Sequence, residues 1–223
     1  MKLAIFDFDG TLFLKDTLPF LLWRWKYLKC SRFTFYKTVL SLLPLFLKYK
    51  LETASKLSRE QIKQQAVRKF NQLFYGRSEQ ELMAYFAACT QNIEGLLNEN
   101  VVTEVEKAKA EGLHTVLLSG TYLYLLKNVG DYLGFATVIG SELHFKDGLY
   151  DHTKEFQPLI GDLKLNKIQE VFGKEAIDWE ASRAYADGYS DLSLLVAVGN
   201  PVAVRPDSQL KAVAEEKKWR IIT

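Results

Sequence analysis

Two aspartates follow the first apolar strand of the chain at a spacing that places them on one side of the backbone. Asp7 and Asp9 flank Phe8, the residues before them are apolar, and Gly10 comes directly after them. Residues i and i+2 of an extended chain point to the same side, and a glycine permits the sharp turn that keeps both acids at the strand end. Two carboxylates this close repel each other unless a cation lies between them. The pattern therefore predicts a hard-metal site with a reactive carboxylate oxygen.

Further polar residues stand at the ends of other predicted elements. Ser119 and Gly120 follow the apolar run 114–118, Lys164 lies at the start of a helix, and Asp187 and Asp191 follow the strand 183–186. In a doubly wound sheet, ligands bind in the crevice outside the carboxyl ends of the strands. Carboxylates, a hydroxyl and a lysine that converge there suit a phosphate ester held by a divalent cation.

Each of these residues also has a purely structural interpretation. The Asp7–Gly10 segment could be an Asx-turn, and Ser119 could be a helix cap followed by a turn glycine. Lys167 lies one turn from Lys164, so either could be a solvated helix lysine. Asp191 could hold its loop through backbone amides instead of approaching the metal.

The chain divides into three stretches that would position this site. Residues 2–12 are predicted to be a strand and a turn, residues from about 14 to about 94 are mostly helical, and helices alternate with strands from residue 95 onward. Alternation of this kind indicates an α/β fold. We expect a Rossmann-like, doubly wound parallel sheet with a helical cap inserted after the first strand. The core would comprise residues 1–13 and 95–223, and the cap residues 14–94.

Composition bounds the function and the compartment. The net charge of +2 over 223 residues is too small to indicate nucleic-acid binding. The cysteines, Cys30 and Cys89, are far apart and show no ligand-like spacing. Together with a strand at the very start of the sequence, they predict a cytoplasmic protein with no signal peptide and no disulfide framework.

The start of the insertion is basic and aromatic. Residues 17–51 contain seven basic residues and no acidic one, and their longest uncharged run, 38–47, is ten residues long. Such a run is too short to span a bilayer about 30 Å thick. Two interpretations stay open: a helical lid with solvated lysines, or a surface in peripheral contact with anionic lipid. The residues concerned are Trp23, Arg24, Trp25, Lys26, Tyr27, Lys29, Arg32, Phe33, Phe35, Tyr36, Lys37, Phe46, Lys48, Tyr49 and Lys50.

Four motifs in order resemble those of the haloacid dehalogenase-like superfamily across essentially the whole chain. They are DFDGTL at 7–12, LLSGT at 117–121, Lys164, and YADGYSDL at 185–192. The tail GNPVAVRPD at 199–207, followed by Trp219, is similar to the phosphoserine-phosphatase-like branch, subfamily IB. That branch carries a helical cap between its first two motifs, where the insertion lies here.

The resemblance implies a role for each site residue. Asp7 would be the nucleophile that forms an aspartyl-phosphate, and Asp9 would protonate the leaving alcohol and then activate water. Mg²⁺ would be bound by a carboxylate oxygen of Asp7, the backbone carbonyl of Asp9 and Asp187, with Asp191 as a supporting acid. Ser119, the Gly120 amide and Lys164 would hold the phosphoryl oxygens.

Two comparisons with the family narrow the reaction. Dehalogenases of the superfamily lack the second acid of the Asp-x-Asp pair, and the presence of Asp9 therefore argues against carbon–halogen cleavage. Phosphoserine phosphatases have a glutamate near position 16 that contacts the substrate's amino group, whereas this chain has the shorter Asp16. Asp16 is accordingly a candidate substrate-binding residue for a substrate other than phosphoserine, or a helix cap.

The sequence favours a Mg²⁺-dependent phosphomonoester hydrolase whose substrate is a small organic phosphate. One alternative is a lipid-phosphate phosphatase, of the phosphatidylglycerophosphate type, that docks on anionic membrane through its cap. Another is a non-catalytic phosphate-binding or membrane-docking protein, and a third is a phosphotransferase that uses an alcohol as acceptor. Nothing in the sequence indicates an oligomeric state.

Overall fold

Eight short strands and nine helices make up the regular structure of the described residues. The computed structural model describes residues 1–28, 31–51, 59–91, 93–173 and 176–223, and only the backbone of 48–51, 59 and 60. Lys29 and Cys30 lie outside the described residues. The strands are β1 (Leu3–Phe6), β2 (His114–Tyr122), β3 (Thr137–Ser141), β4 (Phe145–Lys146), β5 (Leu149–Tyr150), β6 (Arg183–Ala186), β7 (Asn200–Val204) and β8 (Arg220–Ile222). The helices are α1 (Thr17–Trp23), α2 (Arg32–Leu51), α3 (Arg59–Phe70), α4 (Glu79–Thr90), α5 (Glu99–Ala110), α6 (Leu123–Leu133), α7 (Asp162–Phe172), α8 (Leu192–Ala197) and α9 (Ser208–Glu216).

Six strands form one parallel sheet in the order β3-β2-β1-β6-β7-β8. All four residues of β1 are completely buried, as expected for a central strand covered on both faces. The chain builds the sheet outward from β1 in one direction with β2 and β3, and in the other with β6, β7 and β8. The predicted α/β fold with a doubly wound parallel sheet is therefore confirmed.

Strand β2 is longer than its sequence indicates. The apolar run predicted a strand that ends at Leu118, whereas β2 continues through Ser119 to Tyr122. The pairing of β2 with β3 shifts register between Leu118 and Tyr122, and Tyr122 then pairs with Ser141. The extension rests on a partner strand that is distant in sequence, so the local pattern gave no sign of it.

By its internal contacts the chain divides into two units. The first comprises Met1–Asp16, Asn92–Ser141 and Leu159–Thr223, and the second comprises Thr17–Gln91 and Glu142–Pro158. The predicted division placed 142–158 with the core instead. These residues group with the second unit because the amide of Tyr150 donates to the carbonyl of Arg77 and Leu149 bridges to Ser78.

The second unit is helical, with an aromatic interior. Phe70, Phe74, Tyr85 and Phe86 are buried, and the Tyr85 hydroxyl donates a 3.0 Å hydrogen bond to the carbonyl of Leu21. Helix α4 begins with the capping box that its sequence predicts, in which Ser78 and Glu81 exchange hydrogen bonds. Within the described ranges, no helix combines the length and the apolarity needed to cross a bilayer.

Candidate active site

The topology brings Asp7 and Asp187 to the same edge of the sheet. Strands β1 and β6 are neighbours, Phe6 pairs with Tyr185, and the amide of Asp7 donates to the carbonyl of Tyr185 at 2.9 Å. Asp187 is the residue that follows β6. The direction in which the sheet is built reverses between these two strands, and such a reversal is where doubly wound sheets bind ligands.

The turn after β1 holds its backbone in a closed loop around Gly10. The amide of Gly10 donates to the carbonyl of Phe13 at 2.8 Å, and the amide of Phe13 donates to that of Phe8 at 2.8 Å. Gly10 has a φ of +75°, and a Cβ at this position would lie 2.1 Å from Oδ2 of Asp187. Glycine is therefore required both by the left-handed backbone and by the close approach of the Asp187 carboxylate.

Lys164 connects two of the predicted carboxylates. It is buried in α7, and its Nζ donates to Oδ1 of Asp7 at 2.8 Å and to Oδ2 of Asp191 at 2.6 Å. Burial alone would lower the pKa of this ammonium, but the charges of Asp191 and then Asp7 outweigh burial and raise the pKa above its ordinary value. Lys164 therefore stays charged. Lys167, the alternative in the sequence, instead forms a partly exposed ion pair with Glu170.

Ser119 and Gly120 lie within β2 and are held from the adjacent strand. Ser119 is buried, and its Oγ accepts a 3.2 Å hydrogen bond from the amide of Thr121. The hydroxyl of Ser141 donates to the carbonyl of Gly120 at 2.9 Å and accepts from the amide of Leu159 at 3.0 Å. A Cβ on Gly120 would lie 2.8 Å from the Leu159 carbonyl, so this segment requires glycine.

The loop from Asp187 to Asp191 is fixed by a residue that sequence reasoning did not assign to the site. The amide of Asp207 donates to the carbonyl of Asp187 at 2.9 Å, and Oδ2 of Asp207 accepts from the amide of Tyr189 at 2.9 Å. The other carboxylate oxygen of Asp207 caps α9 at the amide of Leu210. Asp207 thus ties the loop to the start of α9.

Asp9 and Asp16 have different environments. Asp9 is half-buried, and its backbone forms a bridge with Phe13 inside the turn. Asp16 is exposed and directly precedes α1. The structure thus gathers Asp7, Lys164 and Asp191 by direct contact and brings the carboxylate of Asp187 against Gly10.

The donor set suits a hard divalent cation such as Mg²⁺. In the described part of the chain, no group of three or more His, Cys, Asp or Glu residues is arranged to hold a metal ion. The expected set, however, needs only the carboxylates of Asp7 and Asp187 and the backbone carbonyl of Asp9. The missing Cβ of Gly10 leaves the space that the Asp187 carboxylate uses beside this turn. All three donors are oxygens, which Mg²⁺ prefers.

Ser141 and Asp207 are the positioning residues that the sequence analysis missed. Asp207 stands immediately before a helical pattern, which is the signature of an N-cap, but its second contact, with the loop at 187–189, is not visible in the sequence. Ser141 offered no signal, because its two partners lie at distant points of the chain.

Comparison with known proteins identifies the family that shares these features. Residues 4–195 match the sequence profile described as haloacid dehalogenase-like hydrolase. Among curated relatives, a histidinol-phosphatase from Neisseria meningitidis serogroup C is 28% identical over 122 residues, which cover 53% of this chain and 55% of that protein. The chain spans between 36 and 55% of the length of the curated relatives it matches.

Solved structures share the fold along the whole chain. A Bordetella pertussis Tohama I protein of unknown function superposes with a TM-score of 0.80 at 21% identity, covering 100% of this chain and 98% of that one. A phosphoserine phosphatase structure, described as a phospho-aspartyl intermediate analogue, has a TM-score of 0.59 at 19% identity and covers 99% of this chain and 92% of that one.

Proposed function

Because this chain belongs to the haloacid dehalogenase-like hydrolases, we propose that it is a Mg²⁺-dependent phosphomonoester hydrolase that acts through an aspartyl-phosphate. The observation that carries the proposal is the buried ion-pair cluster in which Lys164 binds Asp7 and Asp191 at the point where the sheet order reverses. A charged lysine between two acids holds the nucleophile in one orientation and gives phosphoryl oxygens a cationic partner.

In the first half-reaction, a carboxylate oxygen of Asp7 attacks phosphorus and the bond between phosphorus and the ester oxygen breaks. The carboxylic acid of Asp9 gives its proton to the departing alcohol oxygen, so that the alcohol leaves neutral. Asp9 is suited to this role because it lies two residues from Asp7 in the closed turn around Gly10.

In the second half-reaction, Asp9 takes a proton from water as the water oxygen attacks phosphorus. The bond between phosphorus and Asp7 then breaks, which releases inorganic phosphate and restores both carboxyl groups. Asp7, Asp187 and the Asp9 carbonyl would hold Mg²⁺, which when bound neutralises negative charge that develops on the phosphoryl oxygens.

The phosphoryl group is held by the Ser119 hydroxyl, the Gly120 amide and the Lys164 ammonium. The restraint of Gly120 by Ser141 supports this assignment, since donors fixed in advance stabilise a developing charge without reorganising. We propose that Asp191 acts through Lys164, whose ammonium it fixes by a 2.6 Å hydrogen bond.

The proposed substrate is a small organic phosphate ester. Support comes from the histidinol-phosphatase relative and from the fold shared with a phosphoserine phosphatase. Asp16 is the proposed substrate-contacting residue, because it is an exposed carboxylate near the first motif. If Asp16 contacts the substrate, Asp16→Asn raises KM for the preferred substrate and leaves KM for p-nitrophenyl phosphate unchanged.

A phosphate-release screen tests the proposed function. The purified protein is assayed against a panel of amino-acid, amino-alcohol, sugar and lipid phosphates, with Mg²⁺ or with excess chelator. We expect release from at least one soluble ester, loss of that release in chelator, and its recovery on addition of Mg²⁺. Full activity in excess chelator would contradict the metal site, and no release from any ester would contradict the hydrolase assignment.

A further inference from the structure

Helix α2 carries apolar residues on two opposite faces, of which only one is used inside the second unit. Thr38, Leu42 and Leu45 are buried and follow one another at helical spacing. They form the inner face of the helix. A helix that lies on a protein surface needs only this one apolar face, and its other side is normally polar.

The other side of α2 is apolar and exposed. Phe33, Tyr36, Leu40, Leu43 and Leu47, called here the α2 stripe, recur every three or four residues and are each about half exposed or more. Phe33 is 79% exposed and Leu40 is 69% exposed. At 3.6 residues per turn the five positions fall within an arc of roughly 80°. Single exposed apolar residues are ordinary, but an aligned row of five is typical of an interaction surface.

The charges beside the α2 stripe have one sign. Arg32 and Lys37 flank the stripe on its two sides and are exposed, as is Lys26 in the preceding 3₁₀ helix. Trp23 is 86% exposed. No acidic residue occurs between positions 17 and 51. Apolar side chains bordered by cations and accompanied by an exposed tryptophan are the pattern of helices that lie in a membrane interface.

We propose that the α2 stripe docks on an anionic lipid surface. The helix lies along the surface, with the stripe among the acyl chains and with Arg32, Lys37 and Lys26 against lipid headgroup phosphates. The charge pattern favours this occupant over a second copy of the chain. In a symmetric dimer the same face meets itself, which would bring these cations close to their own copies without an acid to offset them.

Vesicle sedimentation tests the proposal. The protein is mixed with vesicles of phosphatidylcholine alone, or of phosphatidylcholine with an equal part of phosphatidylglycerol, at low and at high salt. We expect sedimentation with the anionic vesicles at low salt, weaker sedimentation at high salt, and little with the neutral vesicles. Absence of binding to anionic vesicles at low salt would overturn the proposal.

Two matched pairs of variants assign the binding to this face. Phe33→Ser with Leu40→Ser should reduce the vesicle-bound fraction at least about tenfold, because apolar burial supplies much of interfacial affinity. The control Tyr132→Ser with Val171→Ser removes equally exposed apolar side chains from α6 and α7 of the first unit and should leave binding unchanged. Arg32→Gln with Lys37→Gln should weaken binding at low salt more than the control Lys127→Gln with Lys217→Gln.

The same variants exclude a loss of fold and a protein partner. All four should retain the parent's circular dichroism, and none alters a residue of the proposed active site. Equal vesicle binding by the stripe variant and the parent would place the contact elsewhere and overturn the proposal. So would a parent that is dimeric by sedimentation velocity, ignores vesicles and becomes monomeric in the stripe variant. Hydrolysis of p-nitrophenyl phosphate is measured separately, so that failure of the proposed function does not affect this outcome.

Discussion

At the scale of single residues, the candidate site is a set of opposite charges removed from water. Asp7, Lys164 and Asp191 are each less than one-tenth exposed. Charges buried in this way are costly unless each has a partner, and loss of one partner leaves the others uncompensated. The cluster therefore links stability to chemistry, because the lysine that orients the nucleophile also stabilises the fold around it.

The first prediction at this scale concerns the nucleophile. Asp7→Asn should reduce kcat for p-nitrophenyl phosphate at least about 10³-fold, because an amide cannot form the acyl-phosphate. The amide oxygen still accepts a hydrogen bond from Lys164, so the fold should persist. Asp131→Asn, an exposed change on α6, is the control and should keep kcat unchanged. An Asp7→Asn protein with near-parental kcat would refute the nucleophile assignment.

The second prediction separates the two neighbouring lysines of α7. Lys164→Met leaves Asp7 and Asp191 buried without their shared cation, so we expect unfolding free energy to fall by about 3 kcal/mol and kcat to fall at least about 100-fold. Lys167→Met breaks only a partly exposed pair with Glu170 and should change stability by less than about 0.5 kcal/mol. Urea unfolding and steady-state kinetics measure both effects, and an inverted order of the two variants would contradict the site.

The residues that carry chemistry were predictable because they stand at the ends of apolar strands. Asp7 and Asp187 follow buried runs, and the motif order assigned Lys164 rather than Lys167. The positioning residues were not predictable in the same way. Ser141 and Asp207 act through hydrogen bonds to segments that are distant in sequence, and such contacts leave no local pattern.

At the scale of elements, a buried acid on α5 connects three parts of the first unit. Glu104 accepts hydrogen bonds from Arg220 in β8 at 2.7 and 2.9 Å, from Lys107 at 3.0 Å, and from the hydroxyl of Tyr185 in β6 at 3.0 Å. The ring of Tyr185 stacks on Phe6 of β1 at a centroid distance of 4.3 Å. This network fixes β6 beside β1, immediately before Asp187.

Glu104 gives the third prediction, which is a pH dependence. The hydrogen bonds from Arg220, followed by those from Lys107 and Tyr185, outweigh burial and lower the pKa of Glu104 from 4.5 to about 2. Because the folded state favours the ionised form, this stabilisation is present above about pH 4.5 and is lost as the pH falls through about 2. Glu104→Gln should therefore reduce unfolding free energy by about 2 kcal/mol at pH 7, with a difference that shrinks in acid.

The control for this prediction is Glu106→Gln, whose side chain is exposed and paired only with Lys109. It should change unfolding free energy by less than about 0.5 kcal/mol at every pH. Urea unfolding of the parent and both variants between pH 3 and pH 7 measures the effect. A constant difference between Glu104→Gln and the parent across this range would contradict the assigned cause.

At the scale of the whole molecule, the site is assembled from segments that are far apart in the chain. Asp7, Lys164 and Asp187 come from the two ends of a sequence that is interrupted by the second unit. Doubly wound topology was predictable from the alternation of helices and strands. The grouping of 142–158 with the second unit was not, because a hairpin reveals its own turn but not the segment it packs against.

The fourth prediction follows from this assembly. A cation that binds carboxylates brought together only by folding should stabilise the folded state, by about 2.7 kcal/mol when its concentration is 100 times Kd. We expect Mg²⁺ without substrate to raise the Tm of the parent and of Asp131→Asn by the same increment. Asp187→Asn should lose that increment, whatever its own Tm. An undiminished increment in Asp187→Asn would exclude Asp187 as a ligand.

The central position of β1 also governs the order of events during synthesis. This strand leaves the ribosome first, yet its neighbours β2 and β6 begin at His114 and Arg183. Its apolar residues must wait for more than a hundred successors before they gain their first permanent neighbour, and long-range closures of this kind are slow. The nascent chain therefore acquires catalytic competence only near the end of translation, and β1 is the segment that a chaperone would need to shield in the meantime.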